Sequence, residues 1–135
     1  MKKYILSIDS GTTGITVLLI NKELKVVQKE YSELKQYYPK PGWVEHDPIE
    51  LIQKLNILVG NIIKKNPSKS ILSVGITNQR ESVVVWDKTN GKPIYNTIVW
   101  QCKRTKEQCS KLSEKYKTTV FKKTGLYIDS YFSAT

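Results

Sequence analysis

Apolar and polar residues alternate through three short runs near the start of the chain, Tyr4 to Asp9, Ile15 to Ile20 and Lys25 to Tyr31. A period of two places every second side chain on one face, so these runs predict three strands joined in a meander. Asn21-Lys22-Glu23-Leu24 supplies the second turn. Gln36 to Asp47 carries Pro39, Pro41 and Gly42, which interrupt strand and helix alike, and reads as an ordered loop with Trp43 as its anchor.

The period then changes. Asp47 is a capping residue, Pro48 suits a first helical position and Glu50 stands at capping-box spacing. Leu51, Ile52, Leu55, Leu58, Val59, Ile62 and Ile63 follow at helical spacing, and Lys64-Lys65-Asn66-Pro67 marks the stop. Ile71 to Ile76 is a continuous apolar run of the kind buried in a sheet, and Ser82 to Asp87 predicts another strand. Asn90-Gly91 marks a turn, and Ile94 to Trp100 reads as extended. Cys102, Thr105, Cys109, Leu112 and Tyr116 form one helical stripe, with a further short helix over Thr118 to Lys123 and Gly125 near its end. Three strands, a helix and more strands describe an α/β domain with a mixed sheet.

The 135 residues suffice for about one domain with a real core. The longest apolar stretch is far short of a membrane span, and Met1-Lys2-Lys3 does not open a signal peptide, so the cytoplasm is the expected location. Cys102 and Cys109 lie outside CxxC spacing with no His or Cys cluster beside them, which predicts buried or partly buried free thiols. The net charge of +10 is concentrated between Cys102 and Lys123, where eight basic residues face two acids. That stretch lacks interleaved aromatics, so a solvated lysine-rich helix face explains it better than a nucleic-acid-binding module.

The chemistry-bearing residues fall where strands end, the usual place for ligands in α/β sheets. Asp9-Ser10-Gly11-Thr12-Thr13-Gly14 joins the first two strands. A carboxylate followed by a glycine- and hydroxyl-bearing turn suits a magnesium-bound phosphate, although a plain hairpin accounts for these residues equally well. The turn has neither a P-loop lysine nor dinucleotide glycine spacing. Arg80 and Glu81 set a donor fork beside an acceptor pair, as a neutral polyol requires and as an ordinary salt-bridging loop would also present. Trp100 and Tyr131 offer apolar rings for a carbon skeleton, or for a core. His46, the single histidine, has no nucleophile near it in sequence and receives no catalytic role.

Taken in order, Asp9-Ser10-Gly11-Thr12-Thr13, Pro39 to Pro48, Gly75 to Glu81, Gly91 to Asn96, Val99 to Cys102, Thr124 to Leu126 and Ile128 to Ser133 resemble the N-terminal part of the FGGY carbohydrate kinases, in particular those that phosphorylate glycerol. The resemblance covers the whole chain. It implies a ribonuclease-H-like ATPase fold of the actin, Hsp70 and hexokinase type, with residues 1–135 forming the N-terminal portion of the first of two domains and the second domain absent. It further implies ATP and Mg²⁺ as cofactors and glycerol as substrate, converted in the complete enzyme to sn-glycerol 3-phosphate. By the same carry-over, Asp9 helps hold the metal, while Gly11, Thr12, Thr13, Gly14 and Thr16 line the phosphates. Arg80, Glu81 and Tyr131 hydrogen-bond glycerol and Trp100 packs on its carbons. The family's proton-accepting aspartate lies beyond Thr135, so no residue here is assigned as the base. The missing C-terminal lobe is an implied partner, as is association into a homo-oligomer. Gly14 stands where the family usually has Ser, Thr16 where it has Arg, Ser130 where it has Pro and Ala134 where it has Gly. The competing reading is a non-catalytic truncated or split-gene fragment that binds ligand weakly or docks with a separate C-terminal half.

Overall fold

A computed structural model of the chain describes residues 3–66 and 70–135. Met1, Lys2 and Pro67, each used in the sequence reading, lie outside the described residues. The chain divides into two compact units, one of residues 1–35 and 47–79, the other of residues 36–46 and 80–135.

The first unit is a four-stranded sheet with one helix on it. Strands β1 (Tyr4–Ser10), β2 (Gly14–Asn21) and β3 (Val26–Glu33) form the predicted antiparallel meander, and β5 (Ile71–Asn78) pairs parallel to β1, giving the order β3-β2-β1-β5. The sheet is therefore mixed, as expected. Leu6 and Ile8 of β1 and Ile15, Val17 and Leu19 of β2 share a buried face, which Leu58 and Ile62 of helix α1 (Pro48–Lys65) cover. At about 25 cal/mol per Å² of apolar surface removed from water, this layer is the main source of the unit's stability.

Helix α1 starts where the sequence places it, because Asp47 accepts a hydrogen bond from the Ile49 N–H at 2.8 Å. The capping box gives way to another arrangement: Glu50 pairs with Lys54 at 2.6 Å and accepts from the Lys35 N–H at 3.4 Å. Asn61 and Asn66 tie the helix to β3 by donating to Glu30 and Gln28.

The structure corrects the burial expected of residues 71–76. Val74 and Ile76 pair with Leu6 and Ile8, so their side chains share the core face, yet they are 53% and 71% exposed. Helix α1 packs on β2 and β3 and does not cover them.

In the second unit, β4 (Glu45–His46) pairs antiparallel with β6 (Thr97–Ile98), so the Gln36 to Asp47 loop closes on a short strand. The strand expected over Ser82 to Asp87 is replaced by single bridges, Val83 with Ile98 and Trp86 with Pro93. The two bridges are out of register, 83 with 98 but 86 with 93, so they do not join into one ladder. The extended segment 94–100 shortens to β6 for the same lack of a continuous partner. The two short helices expected after Cys102 are one, α2 (Lys106–Thr124), because neither Gly nor Pro interrupts those residues. Gly125 ends it in the left-handed conformation, φ +72°. Cys102 precedes the helix rather than joining its stripe. Both cysteines are buried and free, as expected.

Candidate functional site

The sequence-predicted residues fall into two groups, one in each unit. In the first unit, β1 ends at Ser10 and the chain reverses through Gly11 to Thr13 into β2. The Gly11 N–H donates to the Gly14 carbonyl at 3.0 Å, closing the turn, and the Leu34 N–H donates to the Thr13 carbonyl at 2.9 Å, tying the turn to the end of β3. Asp9 is exposed and makes no hydrogen bond or ion pair among the described residues. It pairs in register with Thr16 on one side and Thr77 on the other. Directly paired residues point to the same face, so a free carboxylate lies between two threonines on the face opposite the α1 core. Thr77 is an addition to the predicted set, and only strand register reveals it.

Gly14 is fixed by crowding. A Cβ there would lie 2.6 Å from the Tyr31 hydroxyl oxygen and 2.7 Å from the Ser32 carbonyl oxygen. The tyrosine of β3 covers this glycine, which accounts physically for the lack of a side chain at a position where the sequence resemblance anticipates serine.

The lone Asp9 carboxylate is compatible with a cation such as Mg²⁺ held chiefly by other oxygens. Among the described residues no group of three His, Cys, Asp or Glu side chains can hold a metal, so a protein-only cage is not formed. A single free carboxylate at a strand end is the donor set for a cation that keeps water and takes its remaining oxygens from phosphates.

In the second unit, Arg80 and Glu81 form the turn after β5. Glu81 adopts φ +60°, a left-handed conformation uncommon for a non-glycine residue. Its Oε2 accepts from the Ser133 N–H at 2.9 Å and from the Ser133 hydroxyl at 3.0 Å. These two bonds, with a smaller contribution from the Arg80 charge, outweigh desolvation and hold the carboxyl below the usual glutamate range. Arg80 is exposed and makes no hydrogen bond or ion pair among the described residues.

Ser133 belongs to a tight turn. The Tyr131 N–H donates to Asp129 Oδ1 at 2.7 Å, and the Phe132 N–H donates to the Asp129 carbonyl at 3.1 Å. The Tyr131 ring meets Trp100 edge-on, with centroids 5.7 Å apart and planes at 65°. Thus Glu81, Tyr131 and Trp100 are brought together through Ser133 and the aromatic contact, with Arg80 adjacent in sequence. Ser133 was legible only as part of a motif.

The second unit also holds a buried polar network that sequence reasoning missed. Glu45 is 2% exposed and accepts from Arg104, from the Tyr95 hydroxyl at 3.0 Å and from Asn96 Nδ2 at 3.0 Å. The Arg104 guanidinium lies 3.8 Å from the centre of the Trp43 ring, and its Nε donates to Cys102 Sγ at 3.0 Å. Burial pushes Glu45 up, but the bonds from Arg104, Asn96 and Tyr95 win, and its net value is lowered. The Cys102 thiol is likewise pushed up by burial and brought lower overall, chiefly by Arg104. The only early signal was Trp43 as an anchor.

A cavity of about 750 Å³ lies elsewhere, at the Tyr4 end of the sheet, lined by Tyr4, Ile5, Asn21, Val27 and Leu72 among others. It contains none of the predicted site residues. Among the described residues no helix is long and apolar enough to cross a membrane.

Residues 4–135 match the N-terminal domain of the FGGY family of carbohydrate kinases. Over 138 aligned positions the chain is 53% identical to a glycerol kinase of Leptospira biflexa, covering 99% of this chain and 28% of that protein. A crystal structure of Plasmodium falciparum glycerol kinase with ADP superimposes with a TM-score of 0.91 at 43% identity, over 98% of this chain and 27% of that one. A ligand-bound xylulose kinase from Lactobacillus acidophilus gives 0.87 at 21% identity, over 96% and 26%, a likeness of fold. The chain thus spans little more than a quarter of the length of these relatives, and its α/β architecture is part of their ribonuclease-H-like fold. With a match running through both units and every strand and helix described above, the chain belongs to the FGGY family of carbohydrate kinases.

Proposed function

We propose that this chain supplies the phosphate hairpin and the polyol-binding residues of an ATP-dependent glycerol kinase. The observation that carries this reading is the second-unit cluster, in which a free guanidinium, a half-satisfied carboxylate and an aromatic pair stand within one short stretch of structure. A neutral polyol needs donors, an acceptor and an apolar wall, and Arg80, Glu81, Tyr131 and Trp100 provide them. In the first unit, Asp9 would hold Mg²⁺, and Gly11, Thr12, Thr13, Gly14 and Thr16 would line the phosphates. When bound, the cation neutralises charge on the phosphate oxygens.

The chain's own part in the reaction is positioning. Glu81 accepts from a glycerol hydroxyl, Arg80 and the Tyr131 hydroxyl donate to others, and Trp100 excludes water from the carbon skeleton. This fixes which hydroxyl is presented for phosphoryl transfer. A hydroxyl attacks well only when a base accepts its proton, and no carboxylate here is assigned that role. Turnover by these residues alone is therefore expected to be negligible in an ADP-release assay with glycerol and MgATP. Robust turnover abolished by Asp9→Ala overturns that expectation.

The binding assignment is tested by calorimetric titration of glycerol against wild type and Arg80→Ala. The variant is expected to bind about tenfold more weakly, the effect of losing a charge-assisted hydrogen bond. Identical affinities would place the polyol elsewhere.

The exposed core-face residues of β5 favour a second reading, in which this chain works only when docked with the polypeptide corresponding to the rest of its relatives. Val74 and Ile76 lie on the core side of an edge strand, and the occupant that suits them is a further strand and helix of the same kinase. Glycerol phosphorylation regained on mixing the two polypeptides supports this; no gain at micromolar concentrations argues against it.

A further inference from the structure

We infer that Ser133 is a positioning residue, which orients the Glu81 carboxylate so that one oxygen is bound by protein and the other is presented to the polyol. The inference rests on the polyol reading above and extends it to a residue outside the substrate contacts.

Three observations carry it. Both Ser133 donors, the N–H at 2.9 Å and the hydroxyl at 3.0 Å, go to the same oxygen, Oε2. No described residue makes a hydrogen bond to Oε1. Glu81 also holds φ +60°, a backbone state that persists in a non-glycine residue only when its surroundings fix it. The contact joins residues 52 apart in sequence, so it fixes the turn after β5 to the turn that carries Tyr131. One serine thereby sets both the acceptor and the aromatic side of the cluster.

The test compares wild type, Ser133→Ala and Ser133→Thr. Alanine keeps the backbone donor and removes the hydroxyl; threonine restores a hydroxyl at an exposed position. The Glu81 carboxyl is followed by ¹³C NMR through acid pH. The charged and titratable groups near it in sequence and structure are Arg80 on its own turn and Asp129 and Tyr131 on the Ser133 turn. The titration midpoint is expected to move up toward the ordinary value of about 4.3 in the alanine variant and to return in the threonine variant. Glycerol affinity is expected to fall about five- to tenfold in the alanine variant and to recover within about twofold in the threonine variant. An unchanged Glu81 midpoint in Ser133→Ala overturns the positioning role, whatever glycerol does. A shifted midpoint with wild-type glycerol affinity overturns it too, reducing the contact to a fold element. A shifted midpoint in a chain whose wild type binds no glycerol instead overturns the polyol reading, and the substrate role of Ser133 with it.

Discussion

Replacing Arg104 by methionine removes the cation from a carboxylate that has almost no access to water. The Glu45 side chain is 2% exposed and that of Arg104 13%, so water cannot take the guanidinium's place without opening the β4–β6 contact. Deleting one partner of a buried pair costs about 3–5 kcal/mol, most of it from stranding the other charge. Two neutral donors remain, Tyr95 Oη and Asn96 Nδ2, each at 3.0 Å, which places the expected loss toward the lower end. Loss of the guanidinium from the Trp43 face adds about 0.5–1 kcal/mol. The sum is about 3–4 kcal/mol, a large part of the about 5–15 kcal/mol by which domains are stable.

Urea denaturation followed by tryptophan fluorescence measures this selectively, because Trp43, Trp86 and Trp100 all belong to the second unit. The sign of the pH dependence is a second check. In wild type the folded Glu45 value is lowered, so its stabilisation is present above the ordinary carboxylate range and is lost as pH falls through the folded value. Without Arg104 two of the lowering influences are lost and that value rises relative to wild type, so the variant's deficit is greatest near neutrality and relieved by protonation. The gap between wild type and variant must therefore narrow on acidification. Glu45→Gln combined with Arg104→Met should recover much of the loss, since a neutral amide is not stranded. A deficit under about 1 kcal/mol, a gap that widens in acid, or a double variant no better than the single one refutes the reasoning.

Gly14→Ala should destabilise the first unit by about 1–3 kcal/mol, the usual cost of overpacking, read from far-UV circular dichroism melting. Adding Tyr31→Ala should recover only part of it, because the Ser32 carbonyl 2.7 Å from the new Cβ is backbone; full recovery would show that the tyrosine alone excludes a side chain. Asp9→Asn should abolish the Mg²⁺-dependent part of ADP binding in calorimetry and leave glycerol binding unchanged, and equal Mg²⁺ dependence in both proteins would remove Asp9 from the metal site.

The parts of the fold legible in sequence were those fixed by local chemistry. Alternation gave β1 to β3, and Asp47-Pro48 gave the start of α1. Val83, Val84, Val85 and Trp86 are strong strand formers, yet a strand needs a partner in continuous register, and the pairing slips between Val83–Ile98 and Trp86–Pro93. The apolar run of β5 correctly signalled a strand, but a run cannot say what covers it, and α1 does not reach that far. The Arg80-Glu81 pair and the Asp9 hairpin stood out because their chemistry is contiguous. Their supports did not, since Ser133 and Glu81 are 52 residues apart and Arg104 and Glu45 are 59 apart.

The two glutamates show how such a support is told from a site. Each is held by donors from far along the chain, and each is lowered below the ordinary range. Glu45 uses both oxygens: Oε1 takes Arg104 and Tyr95, Oε2 takes Asn96, and the group is buried. A carboxylate so satisfied has little left to offer a ligand, and its energy goes into holding β4, β6 and the segment leading to Trp100. Glu81 uses one oxygen, at an uncommon backbone conformation, with a free guanidinium beside it. Sequence alone ranks both as loop acids, and the hydrogen-bonding capacity left over separates them. Under the proposed polyol reading, that remainder favours Glu81 over Glu45 as the acceptor, and Ser133, which leaves Oε1 open, is what preserves it.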